Sequence, residues 1–259
     1  ESGDESEDPL AGRRIRRRIP LLYPRIVMSS QDLDSLKKAA ALKAVEFVRD
    51  GMVVGLGTGS TAKHMVIALG EKVRTGMRLS GVPTSKETAE LARQQGITLI
   101  DTDHAWVIDV AIDGADQVDP HFNLIKGGGG ALLKEKIVAA SAKQFIVVVD
   151  HAKRVPVLGG SFPLPIEVIP FGWGSTAREI QALTQSAVVL RERNGAPFIT
   201  EAGHMILDVH LPRIDHPREL EIALNRIPGV VETGLFVGRT DLLLVGTENG
   251  VESYPATRT

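Results

Sequence analysis

Short apolar runs alternate with helical patterns along most of this chain, and that alternation is what most constrains its fold. Residues 52–56 form one such run. The glycine-rich turn Gly57-Thr58-Gly59-Ser60-Thr61 closes it, and a helical pattern follows through Leu69. Residues 79–82 form the next run, and Pro83-Thr84-Ser85 opens a helix expected to reach Gln95 and stop at Gly96. Residues 98–100, 107–112 and 144–149 are further runs, with a helix expected over 131–142. Strands apolar on both faces suit a covered parallel sheet whose strands are joined through helices. The pattern predicts an α/β chain with a doubly wound, mainly parallel, Rossmann-like sheet.

After Gly159-Gly160 the pattern changes. Residues 162–170 carry three prolines and should not form a central strand throughout, because proline lacks the ladder donor; 166–169 are the expected pairing residues. After 166–169, strands over 187–190, 205–209 and 229–237, with helices over 175–183 and 217–226, follow the order β–α–β–β–α–β, and a further short strand is expected over 198–200. That order predicts a second, smaller α+β domain of split-βαβ, ferredoxin-like type. Residues 241–246 are apolar and should rejoin the first sheet, while the tail from Glu248 carries no clear signal. The division expected is a catalytic α/β domain over 28–160 plus 240–254 and a small domain over 161–239. Residues 1–27 combine an acidic start with a cluster of Arg13, Arg14, Arg16, Arg17 and Arg18, and read as a disordered extension. A helix after Ser29 or Ser30 is expected, with Asp32 completing a partial capping box.

The chemistry concentrates in 113–136. Asp113-Gly114-Ala115-Asp116 follows the run at 107–112, so Asp113 falls at a strand's carboxyl end, where open α/β sheets bind ligands. Lys126-Gly127-Gly128-Gly129-Gly130 then introduces a helix with Glu135 in its first turns. A desolvated carboxylate can take a proton from carbon, and a lysine can stabilise the oxyanion that results. Taken singly, these residues also fit ordinary turns and a solvated helix face. The 57–61 turn offers free N–H groups and hydroxyls to one phosphate. It lacks the G-x-G-x-x-G spacing of dinucleotide folds and the G-K-[ST] of a nucleotide P-loop. Thr84 and Lys153 also follow strands and can share the rim; Lys153 could contact a phosphate or hydroxyl.

A net charge of −2 gives no support to a general nucleic-acid or membrane-surface role. No apolar stretch approaches the roughly 18 residues of a transmembrane helix. The chain has no cysteine, which excludes disulfides, thiolate metal sites and a cysteine nucleophile and fits a reducing compartment. His204, His210 and His216 are evenly spaced but make no convincing metal set.

Gly57-Thr-Gly-Ser-Thr61, Asp113-Gly-Ala-Asp116, Lys126-Gly-Gly-Gly129, Glu135-Lys136, Asp150-His-Ala-Lys153, the 162–170 segment and Ile227-Pro-Gly-Val-Val231 occur here in one series. In order and spacing the series resembles type A ribose-5-phosphate isomerases, from about Asp32 to Val251. The resemblance implies an aldose–ketose isomerase of the pentose phosphate pathway that needs no metal or organic cofactor. It implies Glu135 as the base between C1 and C2. Asp113 and Asp116 would serve ring opening and hydroxyl protons, and Lys126 the enediolate. It further implies substrate contacts at Thr58, Gly59, Ser60, Thr61, Gly114, Ala115, Gly127, Gly128, Gly129 and Lys153, with Lys37 or Lys38 as an extra phosphate lysine. The expected partner is a small sugar phosphate, with no nucleic acid or membrane. A homo-oligomer, dimer or tetramer, in the cytoplasm is implied. A sugar-phosphate sensor on the same fold would not need Glu135 or Lys126. Amino-sugar-phosphate isomerases and CoA transferases do not share the whole series.

Overall fold

The computed structural model describes residues 29–256 except 102 and 104; the extension expected over 1–27 lies outside the described residues. Helix α1 (Ser30–Val45) begins with the expected capping box: Ser29 Oγ accepts from Asp32 N at 3.2 Å and Ser29 N donates to Asp32 Oδ2 at 3.1 Å. Strand β1 (Val53–Leu56) leads to α2 (Ser60–Arg74), β2 (Ser80–Pro83) to α3 (Lys86–Gln94), and β3 (Thr98–Leu99) to β4 (Ile108–Asp113). Two short strands, β5 (Gln117–Val118) and β6 (Leu124–Ile125), form a hairpin before α4 (Leu132–Ser141) and β7 (Ala142–Asp150). The next elements are β8 (Leu164–Val168), α5 (Trp173–Thr184), β9 (Ala187–Leu190), β10 (Glu192–Arg193), β11 (Ala196–Pro197) and β12 (Met205–His210). Helix α6 (Pro217–Asn225), β13 (Val230–Thr233), β14 (Leu235–Phe236), β15 (Leu242–Thr247) and β16 (Gly250–Pro255) complete the described chain.

The main sheet has seven strands in the order β16-β15-β7-β4-β1-β2-β3. All its pairings are parallel except β15 with β16. Helices α1, α2 and α3 cover one face, where Ala40, Ala41 and Ala44 are buried against sheet residues such as Val54, Ile146 and Leu244. Their small side chains let α1 lie close to the strands: a Cβ on Gly246 of β15 would strike the Leu36 carbonyl. Helix α4 covers the other face through Val138 and Ala139. From β1 the chain moves outward to β2 and β3, then returns to the opposite side at β4. The sheet's switch point therefore lies between β1 and β4, where a crevice opens beyond the strand ends.

The second sheet has the order β13-β8-β12-β9, the antiparallel arrangement expected of a split βαβ unit. Leu164, Ile166, Val168, Leu207 and Val209 pack with Ile180 of α5 and Leu224 of α6 in a separate core. Several local readings change. Strand β8 is central and contains Pro165, so pairing starts earlier than residue 166. The proline is tolerated because the β13 ladder ends at Thr233↔Ile166, so the missing donor falls beyond it. Pro165 O instead accepts from Gly234 N at 2.7 Å. Residues 229–237 break at Gly234 into two strands; a Cβ there would overlap the Lys126 carbonyl. Residues 198–200 form no named strand. The chain instead turns as the hairpin β10–β11 at Asn194 (φ 55°) and Gly195 (φ 76°), a primed turn. The polar tail supplies β16, an edge strand on β15.

Candidate active site

Strand β4 delivers Asp113 to the switch point. Its buried Oδ1 accepts from Thr58 N at 3.1 Å and from Gly114 N at 2.8 Å. The loop after β1 thus reads the carboxylate directly, and Gly57 permits this because a Cβ there would overlap Asp113. Thr58 Oγ1 lies 2.7 Å from Thr84 Oγ1 at the end of β2.

A tight turn then brings Lys126 back to Asp113. Asp119 Oδ1 accepts from His121 N at 2.8 Å and Asn123 N at 2.9 Å, folding the β5–β6 hairpin. Asp116 N pairs with Ile125 O at 2.8 Å. Lys126, only 3% exposed, therefore crosses back with Nζ 2.6 Å from Gly114 O, 3.1 Å from Asp113 Oδ2 and 3.3 Å from Glu135 Oε2. Its Nζ also lies 5.5 Å from the Phe236 ring centroid, and Lys136 Nζ lies 5.0 Å from the same centroid.

The glycine loop links Lys126 to α4. Gly127 (φ 105°) and Gly130 (φ 87°) adopt left-handed backbone, and a Cβ would hit Leu132 at the first and Phe198 at the second. Gly128 N donates to Asp116 Oδ2 at 2.8 Å. Glu135 follows in the first turn of α4, 6% exposed. Its neighbours Lys134 and Lys136 both reach the second unit. Lys134 Nζ meets Glu201 Oε2 at 2.7 Å, and Lys136 Nζ meets Glu221 and Glu232 at 3.0 and 2.8 Å.

Burial sets the proton affinities. It pushes the Glu135 carboxyl up to about 8, with the Lys126 ammonium pulling the other way and Asp113 adding repulsion. Burial also raises Asp113 against the opposing pull of Lys126. Burial would lower Lys126, but Asp113, Glu135 and Asp116 outweigh it and its affinity for the proton rises. A desolvated carboxylate here can accept a proton from carbon, and the cation held beside it can neutralise an adjacent oxyanion.

The remaining sequence-predicted residues divide. Thr61 lies against Gly114, within 3.8 Å of where a Cβ there would sit. Gly129 and Thr58 line a cavity of about 240 Å³ with Thr84, Lys134 and Arg193. Ala115 packs against the apolar core beneath α4. Gly59 and Ser60 are exposed at the start of α2, and Lys153 is half-buried in the turn after β7. Among the described hydrogen bonds and ion pairs, none joins those three to the carboxylates; they share the rim by their place at strand ends. Lys37 Nζ comes 3.9 Å from Asp150 Oδ2 at the end of β7. Thr84 was visible as a strand-end residue but not as the partner of Thr58. Glu201, Arg191 and Phe236 had no local signal, because they meet the site from distant parts of the chain.

The sequence model of the family described as ribose 5-phosphate isomerase A (phosphoriboisomerase A) matches residues 80–250. A protein named ribose-5-phosphate isomerase A from Cereibacter sphaeroides is 53% identical over 225 residues, covering 84% of this chain and 90% of the relative. Its namesake from Gloeobacter violaceus is 52% identical, covering 85% and 96%. The solved ribose 5-phosphate isomerase A of Methanocaldococcus jannaschii superposes with a TM-score of 0.81 at 43% identity, covering 88% of this chain and all of that one. A D-ribose-5-phosphate isomerase solved in complex with phospho-erythronic acid gives 0.83 at 44% identity, covering 86% and 99%. Identity of this extent, on the same fold and across nearly the whole length of the relatives, leaves one conclusion: the chain belongs to the ribose 5-phosphate isomerase A family.

Proposed function

We infer that this chain interconverts D-ribose 5-phosphate and D-ribulose 5-phosphate, as an aldose–ketose isomerase of the pentose phosphate pathway. The observation that carries the residue roles is Lys126 held between Asp113 and Glu135 at the switch point. In the open-chain aldose, Glu135 takes the C2 proton. The electron pair forms the C1–C2 double bond, and the C1 carbonyl oxygen becomes an enediolate oxygen facing the Lys126 ammonium. Glu135 returns the proton to C1 as the C2 carbonyl forms, and the proton that leaves the O2 hydroxyl passes to the enediolate oxygen on C1, which becomes the C1 hydroxyl of the ketose. Asp113 and Asp116 are the acceptors and donors for ring opening and hydroxyl protons. One carboxylate can serve both carbons because they are adjacent.

The 57–61 loop and the amino end of α2 suit the phosphate, since free N–H groups and the helix dipole converge there. Gly59, Ser60 and Thr61 belong to that subsite, with Lys37 and Lys153 as its cations. Gly114, Ala115 and Gly127 to Gly129 would line the sugar. The division into a catalytic unit, 28–160 plus 240–254, and a small unit, 161–239, is supported by the second core around Ile166 and Leu207. Among the described residues no helix is long and apolar enough to cross a membrane. A homodimer or tetramer in the cytoplasm is part of the same proposal and rests on family likeness.

The test is ketose formation from ribose 5-phosphate, with EDTA present, for the parent and Glu135→Gln. The parent should turn over, and the variant should lose turnover with its circular dichroism unchanged. An inactive parent would overturn the activity, and an active variant the role of Glu135.

A further inference from the structure

Arg191, immediately after β9, grips the glycine loop from the side opposite Asp116. Its Nη1 donates to Gly127 O at 2.7 Å and to Gly128 O at 3.2 Å. Its other edge is taken by Asp208 of β12, with Nε on Oδ2 at 2.8 Å and Nη2 on Oδ1 at 2.5 Å. That bidentate pairing fixes the guanidinium plane and so the direction of Nη1. Gly127 O also accepts from Gly130 N at 3.0 Å, using its second lone pair.

A trans peptide is rigid, and its C=O and N–H point in opposite directions. Gly127 O and Gly128 N belong to one peptide. Arg191 holds the oxygen while the nitrogen donates to Asp116 Oδ2 at 2.8 Å. The following peptide, held at Gly128 O, turns the Gly129 N–H away from Arg191, and Gly129 lines the cavity. Four successive glycines have no side chains to restrict them and lose much backbone freedom on ordering. An external hold is what keeps such a loop in one conformation.

We propose that Arg191, oriented by Asp208, is a positioning residue that sets the 127–128 peptide and, through it, the Asp116 carboxylate, and that directs Gly129 N–H toward substrate. The proposal rests on the active-site reading above. Asp208 and Arg191 touch the loop's backbone or each other, and neither is assigned to the reacting atoms.

A double-mutant cycle tests it, with kcat and KM for ribose 5-phosphate measured on the parent, Arg191→Met, Asp116→Asn and the pair. Arg191→Met should lower kcat/KM by about 10- to 100-fold, mainly in kcat, since small misplacements of reacting groups cost that much. In the Asp116→Asn background the same change should cost less than about threefold, because the carboxylate that the peptide positions is already gone. Arg191→Lys, which keeps the charge without the fork, should recover only part of the loss. Parental activity in Arg191→Met, or an equal loss in both backgrounds, overturns the proposal. If Asp116→Asn and Glu135→Gln both keep parental turnover, the active-site reading fails and takes the proposal with it. If both collapse and the cycle is additive, only the positioning role fails. Should Arg191→Met not fold, Arg191→Lys and Asp208→Asn take its place in the cycle, with the same outcomes.

Discussion

Lys126 Nζ stands 3.3 Å from Glu135 Oε2 with both side chains buried, and the contact is an ion pair without hydrogen-bond alignment. The lysine attracts the carboxylate without fixing its oxygen, which leaves Oε2 able to accept a proton. Burial nevertheless outweighs the attraction, and the carboxyl titrates at about 8.

A base must be ionised to act, so kcat/KM should climb with pH and level off above about 8. Initial rates of ketose formation between pH 5.5 and 9.5 measure this limb. A profile flat from pH 6 to 9 would remove Glu135 as the group that limits turnover.

The same group makes stability depend on pH with a definite sign. The folded value of about 8 lies above the ordinary carboxyl value of 4.5, so the folded state binds more protons between them. The stability contributed by protonated Glu135 is fully present below 4.5 and is lost as pH rises through about 8. Glu135→Gln cannot ionise, so its advantage over the parent should grow across that window by up to about 1.4 kcal/mol per pH unit. Urea unfolding at pH 5 and pH 9 reads the difference; a constant gap would contradict it.

Replacing Lys126 with methionine keeps the stem beside Phe236 and removes the charge. Turnover should fall by about 100- to 1,000-fold, the usual cost of losing a group that stabilises an oxyanion. The rising limb of any residual activity should also move to higher pH, because Glu135 loses the attraction of the Lys126 ammonium. Measurement of kcat against pH on Lys126→Met checks both shifts.

Two glycines should respond differently to a methyl group. A Cβ on Gly57 overlaps the Asp113 carboxylate, whereas one on Gly129 meets nothing within 4 Å. Gly57→Ala should lower stability by about 1–3 kcal/mol as well as activity, as overpacking does. Gly129→Ala should leave the melting temperature unchanged and raise KM. Thermal melts paired with steady-state kinetics separate the two.

Much of this arrangement is legible in the sequence. Strand ends could be located from apolar runs, so Asp113 and the 57–61 loop fell on one rim. Glu135 and Lys126 were visible because chemistry-bearing residues crowd a short glycine-rich stretch. What escaped was contact across long separations. Arg191 reaches Gly127 over 64 residues, and Lys136 reaches Glu232 over 96. No local periodicity reports such pairs. Pro165 misled for a related reason: whether a missing N–H matters depends on where the neighbouring strand stops, which β13 decides.

Strand β7 carries Phe145, Ile146, Val147, Val148 and Val149, all buried, and one of the two sides of β7 is covered by β15. The whole four-stranded sheet is encoded between those two strands. A growing polypeptide thus emerges from the ribosome with a long apolar edge that must wait for its covering strand. Bare edges of that kind pair readily with other chains. Residues 242–247 act as the closing seam of the catalytic sheet, and a messenger cut short before them would yield a product prone to clump rather than one merely lacking a tail.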